Sequence, residues 1–311
     1  MGASPDETSL RGQIDSDDLH GVLATLRPKL HRYCARMTGS VIDAEDIVQD
    51  AMAKAVLSLR QPAIIHNIEG WIFRIAHNAA MDFLRQRTRQ HKTFANEDFP
   101  ALADEIDTIQ QRQLAAAGLR TFMRLSAAER SAVVLMDVLG YSLEEIGGIT
   151  ESSIPAVKAA LHRGRQRLRT ITLEPDDRAP PTLSVAETRR LSAYVDRFNA
   201  RDFDSIRNML AEDVRVELVG RTRLRGAEAG RYFGNYERVS DWYLRLGVVE
   251  ERVAVIVTNH AKPDGPPSYF ILLDWRLEQV AGIRDFRHVG YITESADILF
   301  LDAPNGPRTL L

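Results

Sequence analysis

The sequence predicts a multidomain protein in which two all-α units precede an α+β unit. Three observations support this fold class. The chain has 311 residues, which is too long for one compact core. Apolar residues recur at helical spacing in two segments of the first half. The last third begins with a helical pattern and ends in runs rich in Val, Ile, Tyr and Phe, an order that is typical of α+β domains.

Residues 43–59, DAEDIVQDAMAKAVLSL, predict a helix with one apolar seam. Glu45 with Gln49, and Asp46 with Asp50, form adjacent pairs that we expect on the exposed side. Like charges at this spacing slightly destabilise a helix, so an acidic stripe suggests a basic protein partner. The alternative is an ordinary solvated face. The seam consists of Ile47, Ala51, Ala55 and Leu59.

Residues 71–89, WIFRIAHNAAMDFLRQRTR, predict a second amphipathic helix with a polar stripe. Guanidinium groups on that stripe suit phosphate, and they flank an amide that can hydrogen-bond a base edge. A solvated charged face is the alternative. The expected core face is Ile72, Ile75, Ala76, Ala79 and Phe83. The opposite stripe is Arg74, Asn78, Asp82, Arg85 and Arg89.

Residues 125–169 predict three helices. Ser126 with Glu129, and Ser142 with Glu145, form two capping boxes that begin the first two helices. We expect a short turn at Gly147, Gly148 and residues 150–153. The last helix then begins near Ser153, with Pro155 tolerated in its first turn. Its inward residues are Val157, Leu161 and Leu168.

This last helix becomes increasingly basic toward its end, which completes a helix-turn-helix pattern. The beginning of such a helix enters the major groove, and arginines further along hold backbone phosphates. The basic residues are Lys158, His162, Arg163, Arg165, Arg167 and Arg169.

In their order and separation, these segments resemble bacterial extracytoplasmic-function (ECF) sigma factors, the promoter-recognition subunits of RNA polymerase. The likeness covers roughly residues 18–169. It implies that residues 43–59 bind the coiled coil of the largest polymerase subunit, through Glu45, Asp46, Gln49 and Asp50. It also implies that the helix from Trp71 reads the minus-ten element and that the helix-turn-helix reads the minus-thirty-five element.

The resemblance assigns further roles residue by residue. Asn78 matches the position that holds a flipped base of the minus-ten element, with Arg74 and Arg85 beside it. Asp82 is expected to orient its arginine neighbours, while Trp71 and Phe73 either stack on a melted base or pack against the preceding loop. The implied minus-thirty-five contacts are Ser153, Ala156, Lys158, His162, Arg163 and Arg165. The chain departs from the family's pattern at Pro155, Ala156 and Ala160.

The C-terminal third follows a proline-rich, acidic spacer. Ser184 with Glu187 is a third capping box, and it begins a helix with Leu191, Tyr194, Val195 and Phe198 on one side. A turn, a short helix and a strand follow in residues 199–218. The sequence then predicts strands at Val248 to Asn259, Ser268 to Leu277 and Val280 to Ile292, with a tight turn at Glu278 and Gln279.

The phrases YVDRFNARDFDSIRNMLAEDVRVEL and RLRGAEAGRYF resemble the SnoaL-like polyketide-cyclase branch of the nuclear-transport-factor-like cone fold. The resemblance implies a regulatory extension that replaces a separate anti-sigma protein. Of the WLPEP linker motif in such sigma factors the chain keeps only Glu174 and Pro175, and it lacks their DGGGR motif. Strand alternation predicts Asp285 and Arg287 on one face and Arg284, Phe286 and His288 on the other, so an Asp or a His points into the cone mouth. A cone mouth of this kind is suited to binding a small-molecule ligand. We expect a regulatory domain there and not an enzyme.

These expectations divide the chain into six parts. They are a flexible N-terminal tail, a polymerase-binding and minus-ten-reading helical bundle, an acidic linker, a helix-turn-helix unit, a Pro-rich linker and the SnoaL-like domain. The corresponding ranges are 1–17, 18–92, 93–119, 120–170, 171–183 and 184–311.

Composition narrows the class of function. With no apolar run of membrane-spanning length and no signal pattern, we expect a cytoplasmic protein without membrane contacts. The single cysteine, Cys34, is expected in the core. Zinc spacing, a phosphate loop and a nucleophile elbow are missing from the sequence, so we predict no metal, no cofactor and no catalytic residue. The predicted partners are core RNA polymerase and promoter DNA. The alternative is a ligand-sensing helix-turn-helix regulator that binds duplex DNA without polymerase.

Overall fold

The computed structural model describes residues 16–58, 65, 67–90, 118–171 and 183–301. Every structural statement below concerns these residues. Residues 1–15 of the predicted tail lie outside them. So do residues 93–117 of the acidic linker and 172–182 of the Pro-rich linker.

Three helices, α1 (Ser16–Thr38), α2 (Val41–Ser58) and α3 (Ile68–Gln90), pack into the first helical unit. Cys34 is fully buried, which confirms its predicted core position. The predicted core face of α3 is only partly right, because Ile75, Ala79 and Phe83 are half-buried. The residues buried in their place include Phe73 and His77. His77 enters the core because its Nδ1 lies 2.6 Å from the hydroxyl of buried Tyr33, a contact that apolar spacing does not reveal.

Four helices form the second unit: α4 (Leu119–Met123), α5 (Ala127–Val133), α6 (Leu143–Thr150) and α7 (Ile154–Ile171). A π-helical turn, Val134–Val138, extends α5. Both predicted capping boxes are confirmed. The predicted turn begins too early, because Gly147 and Gly148 are helical. The helix continues to Thr150 and is followed by its C-cap, Glu151, whose φ is 53°. A Cβ on Gly147 would lie 3.0 Å from the Ser152 carbonyl oxygen, so this glycine permits close chain approach after the helix.

The capping box of α6 gives a direct stability prediction. Ser142 Oγ accepts the Glu145 backbone N–H, and the Glu145 carboxylate accepts the Ser142 N–H at 2.8 Å. We expect Ser142→Ala to lower the free energy of unfolding by about 1 kcal/mol. Ser152→Ala is the matched control, since Ser152 caps no helix start and is exposed. Chemical denaturation measures both variants, and equal stability of the two would contradict the prediction.

Within residues 183–301, three helices cover a seven-stranded sheet of order β2-β1-β6-β5-β4-β3-β7. Strands β1 and β6 pair parallel, and all other neighbours pair antiparallel. The helices are α8 (Val185–Asn199), α9 (Phe203–Arg207) and α10 (Gly230–Arg238). The strands are β1 (Leu210–Leu218), β2 (Thr222–Arg225), β3 (Trp242–Val249), β4 (Arg252–Asn259), β5 (Tyr269–Arg276), β6 (Gln279–Asp285) and β7 (Ile298–Phe300).

The predicted fold class, two helical units followed by an α+β cone, is confirmed, but two strand predictions are wrong. Val248 to Asn259 is not one strand, because the chain reverses at Glu250 and Glu251, where φ is 51° and 67°. Glycine or asparagine usually adopts this conformation, so two glutamates give no turn signal. Strand β6 ends at Asp285, and Arg287–Glu294 is a kinked 3₁₀ segment.

The described residues form two buried clusters, and one of them holds the three units together. One joins both helical units with the outer face of the sheet, where Phe270, Phe286 and Ile292 pack in the same cluster as Leu30 and Ile47. The other fills the cone interior with aromatic side chains, including Phe198 and Tyr236. The cone therefore packs against the helices through an apolar face. Over the described ranges, none of the helices combines the length and hydropathy needed to cross a bilayer.

Candidate nucleic-acid and polymerase interfaces

The polar stripe of α3 faces solvent at three of its predicted contact residues. Asn78, Asp82 and Arg85 are exposed, and Arg85 Nη1 donates to Asp82 Oδ1 at 2.8 Å. This contact is compatible with the expected orienting role of Asp82, which stays a prediction. The Arg74 guanidinium is partly covered and lies 4.0 Å from the carboxylate of Glu151 in the helix-turn-helix. Phe73 is fully buried, so the stacking alternative is wrong for this ring.

The beginning of α7 is open to solvent. Ser153, Ala156 and Lys158 are exposed, and Ser153 Oγ accepts the Ala156 backbone N–H at 3.4 Å. Further along, Arg165 is already engaged, because its Nε and Nη2 donate to the Asp137 carboxylate at 2.9 and 2.5 Å. This bidentate pair ties α7 to the π-helical turn. His162 is half-buried.

Arg163 and Arg165 make a matched pair for testing phosphate contact. The Arg163 side chain is 50% exposed and lies 3.3 Å from the Glu129 carboxylate, whereas the Arg165 side chain is 15% exposed. We expect Arg163→Ala to weaken binding of the polymerase-bound chain to all promoters and to reduce the salt slope by about one unit. Arg165→Ala should act mainly on stability. Salt titrations of DNA binding measure both slopes, and an unchanged slope in Arg163→Ala would exclude the phosphate contact.

The acidic stripe of α2 is divided between solvent and the protein interior. Asp46 and Asp50 are exposed and Gln49 is half-buried. The prediction that Glu45 is exposed is wrong, because its side chain is fully buried. One Glu45 oxygen accepts from Arg27 Nη2, and the other accepts the Tyr291 hydroxyl at 2.8 Å. Burial raises the pKa of Glu45, and the nearby Arg27 partly offsets this.

The C-terminal domain contacts α2 at three further points. Arg252 Nη2 donates to Asp43 Oδ1 at 2.8 Å, and Arg284 Nη2 donates to Asp46 Oδ1 at 2.5 Å. Glu250 Oε1 accepts the backbone N–H of Val41, in the first turn of α2, at 2.7 Å. Anions are favoured at this helix end. With the contact between Tyr291 and Glu45, these three contacts place the cone over the acidic side of α2. We call this set of contacts the α2 clamp.

The two helical units also contact each other directly. Lys29 Nζ donates to Glu69 Oε1 at 2.6 Å, and the Tyr141 hydroxyl donates to the same oxygen. The Lys29 ammonium lies 4.2 Å from the centroid of the Tyr141 ring. Arg130 Nη1 donates to the backbone oxygen of Met37. The helix-turn-helix is therefore docked on the bundle that carries α3.

Asp285 lies inside the cone in a closed polar network. Its Oδ2 accepts the hydroxyls of Tyr232 and Tyr236 at 2.9 and 2.8 Å, and Arg287 Nε at 2.8 Å. Burial raises the pKa of both tyrosines well above the usual value. The Asp285 carboxylate is therefore already satisfied by one guanidinium and two hydroxyls within the domain. His288 is exposed and does not join this network.

Sequence reasoning missed the residues of the α2 clamp. Glu250, Arg252 and Tyr291 lie more than 200 residues from their partners. Their partners are brought close only by the docking of the cone on α2. A single sequence carries no periodic or turn signal for such pairs. Alternation along β6 did place Arg284 on the face opposite Asp285, which is the face that meets α2.

Family models match both helical units. The model for Sigma-70 region 2 matches residues 22–90, and the model for Sigma-70 region 4 matches residues 119–168. CarQ, an RNA polymerase sigma factor of Myxococcus xanthus, is 31% identical over 159 residues, which are 50% of this chain and 89% of CarQ. SigM of Mycobacterium tuberculosis is 34% identical over 140 residues, 45% of this chain and 69% of SigM. SigE of Mycolicibacterium smegmatis is 33% identical, and the chain spans 56% of its length.

These matches show the class of protein, and the family within that class, to which the chain belongs. The chain is a sigma-70-type protein with regions 2 and 4. It belongs to the ECF RNA polymerase sigma factors. Among solved structures, SigJ of Mycobacterium tuberculosis covers 87% of this chain and 98% of its own, with 18% identity and a TM-score of 0.34. A ketosteroid-isomerase-like structure from Kribbella flavida covers 38% of this chain and 80% of its own, with 22% identity and a TM-score of 0.24.

Proposed function

We propose that this chain binds core RNA polymerase and directs promoter-specific transcription initiation, and that its C-terminal domain controls this activity. It acts by binding and not by chemistry. The observation that supports this most directly is the presence of regions 2 and 4 on one chain, each with an exposed polar surface of the expected kind. The closed Asp285 network argues against a catalytic role for the cone.

The proposed contacts lie on three helices, α2, α3 and α7. On α3, Asn78 reads an extruded base while Arg74 and Arg85 hold phosphates. On α7, Ser153 and Lys158 lie at the exposed end that enters the major groove. The remaining proposed minus-thirty-five contacts are Ala156, His162 and Arg163, whereas Arg165 is held by Asp137 and is left out of this set. The proposed polymerase contacts are Glu45, Asp46, Gln49 and Asp50.

The α2 clamp supports regulation by occlusion. Asp46 is bound by Arg284 of the cone, and Glu45 is buried beneath Tyr291. A polymerase surface that needs these carboxylates must displace the cone first. The cone and the polymerase then compete for one side of α2. The fewer chains have the cone displaced from α2 (open chains), the lower is the apparent affinity for polymerase.

The contact between the two helical units also indicates that the chain must rearrange before it can act. Elements centred about 25 base pairs apart lie about 85 Å apart along B-DNA, at about 3.4 Å per pair. The two units contact each other through Tyr141, Glu69 and Lys29. Arg74 of α3 lies 4.0 Å from Glu151, two residues before Ser153 at the start of α7. The proposed minus-ten and minus-thirty-five surfaces are therefore much closer than about 85 Å, so the units must separate on the polymerase to contact both elements.

Reconstituted transcription with purified core enzyme tests the proposal. We expect the chain to support initiation from matched promoters and to bind promoter DNA weakly by itself. A gel shift with the chain alone tests the alternative, in which the chain binds promoter duplex without polymerase. If the chain failed to associate with core enzyme, or bound matched duplex equally well without it, the proposal would be wrong.

A further inference from the structure

A cavity of about 660 Å³ lies between the beginning of α8 and the strands β4 and β5. Its size falls within the range of about 300–1,000 Å³ that is usual for small-molecule sites. It is separate from the aromatic cone interior, where Phe198 and Tyr236 are fully buried. Its lining combines apolar and charged side chains, among them Leu191, Leu273, Trp275, Arg190, Arg252 and Arg284.

The cavity exists because two strands diverge. Within residues 183–301, β4 and β5 pair at Val255–Ile271, Ile256–Phe270 and Val257–Tyr269, and the pairing stops before Arg252 and Asp274. Side chains from both faces of the sheet reach the gap. Leu273 belongs to the interior cluster, whereas Leu272 belongs to the cluster that meets the helices. The cavity therefore connects the cone side of the sheet with the side that contacts α2.

Two hydrogen-bond donors in the lining are unsatisfied. Among the described residues, neither Trp275 Nε1 nor Arg190 Nε has an acceptor, although both atoms are shielded from water. The two side chains lie together, with the Arg190 guanidinium 5.5 Å from the Trp275 ring. Arg190 Nη1 donates to the Leu277 carbonyl at 2.5 Å. Buried donors without acceptors are rare in native proteins, and an acceptor ligand between these groups would satisfy them.

The charges around the cavity favour an anion. Three arginines and two carboxylates line it. One carboxylate, Glu187, accepts from the backbone N–H of Ser184 at 2.9 Å in the capping box. Two of the arginines, Arg252 and Arg284, are those of the α2 clamp. Arg284 Nε also donates to Glu217 Oε2 at 2.9 Å. A ligand carboxylate would therefore compete with Asp43 for Arg252, and with Asp46 and Glu217 for Arg284.

We propose that this cavity binds a small carboxylic acid with an apolar, aromatic body, and that binding draws Arg252 and Arg284 away from α2. The carboxylate sits among Arg190, Arg252 and Arg284, and the apolar body packs on Trp275, Leu191 and Leu273. The ligand then loosens the α2 clamp and makes the acidic side of α2 accessible. This regulatory step rests on the proposed function, whereas binding to the cavity does not.

Fluorine NMR tests binding with a defined probe. The chain has three tryptophans, so labelling with fluorotryptophan gives few signals, and Trp71→Phe and Trp275→Phe assign two of them. Naphthylacetate should shift the Trp275 signal saturably and leave the Trp71 signal in place. Naphthylacetamide has nearly the same shape without the charge, and it should bind about tenfold more weakly. Equal affinity for the acid and the amide would overturn the proposal.

A pair of variants on α8 locates the carboxylate. Arg190→Gln should weaken naphthylacetate binding by about tenfold. Arg189→Gln is the control, because Arg189 is exposed and does not line the cavity. Thermal unfolding shows whether either substitution disturbs the fold. If one does, the comparison of naphthylacetate with naphthylacetamide on the unmodified chain still tests the proposal. Equal binding by both variants would place the probe elsewhere.

Hydrogen exchange tests the coupling to α2 without polymerase. Saturating naphthylacetate should speed amide exchange in residues 41–58 by about threefold or more, because opening becomes easier. Exchange in the cone interior at residues 194–198, which do not line the cavity, serves as the reference. If the Trp275 signal saturates while exchange in residues 41–58 is unchanged, the site exists but the regulatory step is wrong. Because this assay contains no core enzyme, its outcome is independent of whether the chain supports transcription.

Discussion

Replacing both Arg252 and Arg284 with alanine is expected to raise the affinity of the chain for core RNA polymerase by about tenfold. Each arginine forms one ion pair with α2, at 2.8 and 2.5 Å. Both pairs are partly exposed, so solvent screening limits each to about 0.2–1 kcal/mol. Their loss shifts the population toward open chains, and apparent affinity rises with that population. Fluorescence anisotropy with labelled chain and purified core enzyme measures the change.

Arg276→Ala is the matched control for this experiment. Arg276 pairs with Asp213 on the surface of the C-terminal domain, at 3.0 Å, and has no contact with α2 among the described residues. A charge swap, Arg252→Asp with Asp43→Arg, should restore the clamp and bring the affinity back toward that of the unmodified chain. An unchanged affinity in the double alanine variant would show that the cone does not occlude polymerase.

Asn78→Ala is expected to reduce initiation at matched promoters by about tenfold or more. An amide that donates to and accepts from a base edge discriminates by about 1–3 kcal/mol. Because Asn78 is exposed, its loss leaves the core of α3 intact. Single-round transcription on promoters with matched and substituted minus-ten elements measures the effect, and the loss should be confined to the matched set.

Gln86→Ala is a suitable control, since Gln86 is also exposed on α3 and lies outside the proposed contacts. We expect near-normal initiation from this variant. If Asn78→Ala lowered initiation equally on every promoter, the base-reading role would be excluded, and a general contribution to duplex opening would be the better explanation.

The elements that sequence could predict are those with local causes. The capping boxes of α5, α6 and α8 depend on residues three apart, and all three form. The exposed stripe of α3 follows from helical spacing, although Phe73 and His77 shift the buried face. The turn at Glu250 could not be predicted, because glutamate rarely adopts a positive φ. Its side chain accepts the backbone N–H of Val41 in α2.

The burial of Glu45 shows why the remaining features could not be predicted. On α2 alone its carboxylate belongs to an acidic, solvated stripe. In the folded chain Arg27 and Tyr291 satisfy both oxygens, which makes burial of the charge tolerable. The same residue is thus exposed or buried according to where the cone docks, and that docking depends on contacts more than 200 residues apart in sequence.

Competition between the cone and the polymerase for α2 can be measured by locking the clamp. In a Cys34→Ala background, Asp43→Cys and Arg252→Cys supply two thiols at an observed contact. A short thiol-to-thiol crosslinker then fixes the cone on α2. The account predicts that the crosslinked chain neither binds core enzyme nor initiates transcription, while the same variant without crosslinker does both. Normal initiation by the crosslinked chain would contradict it.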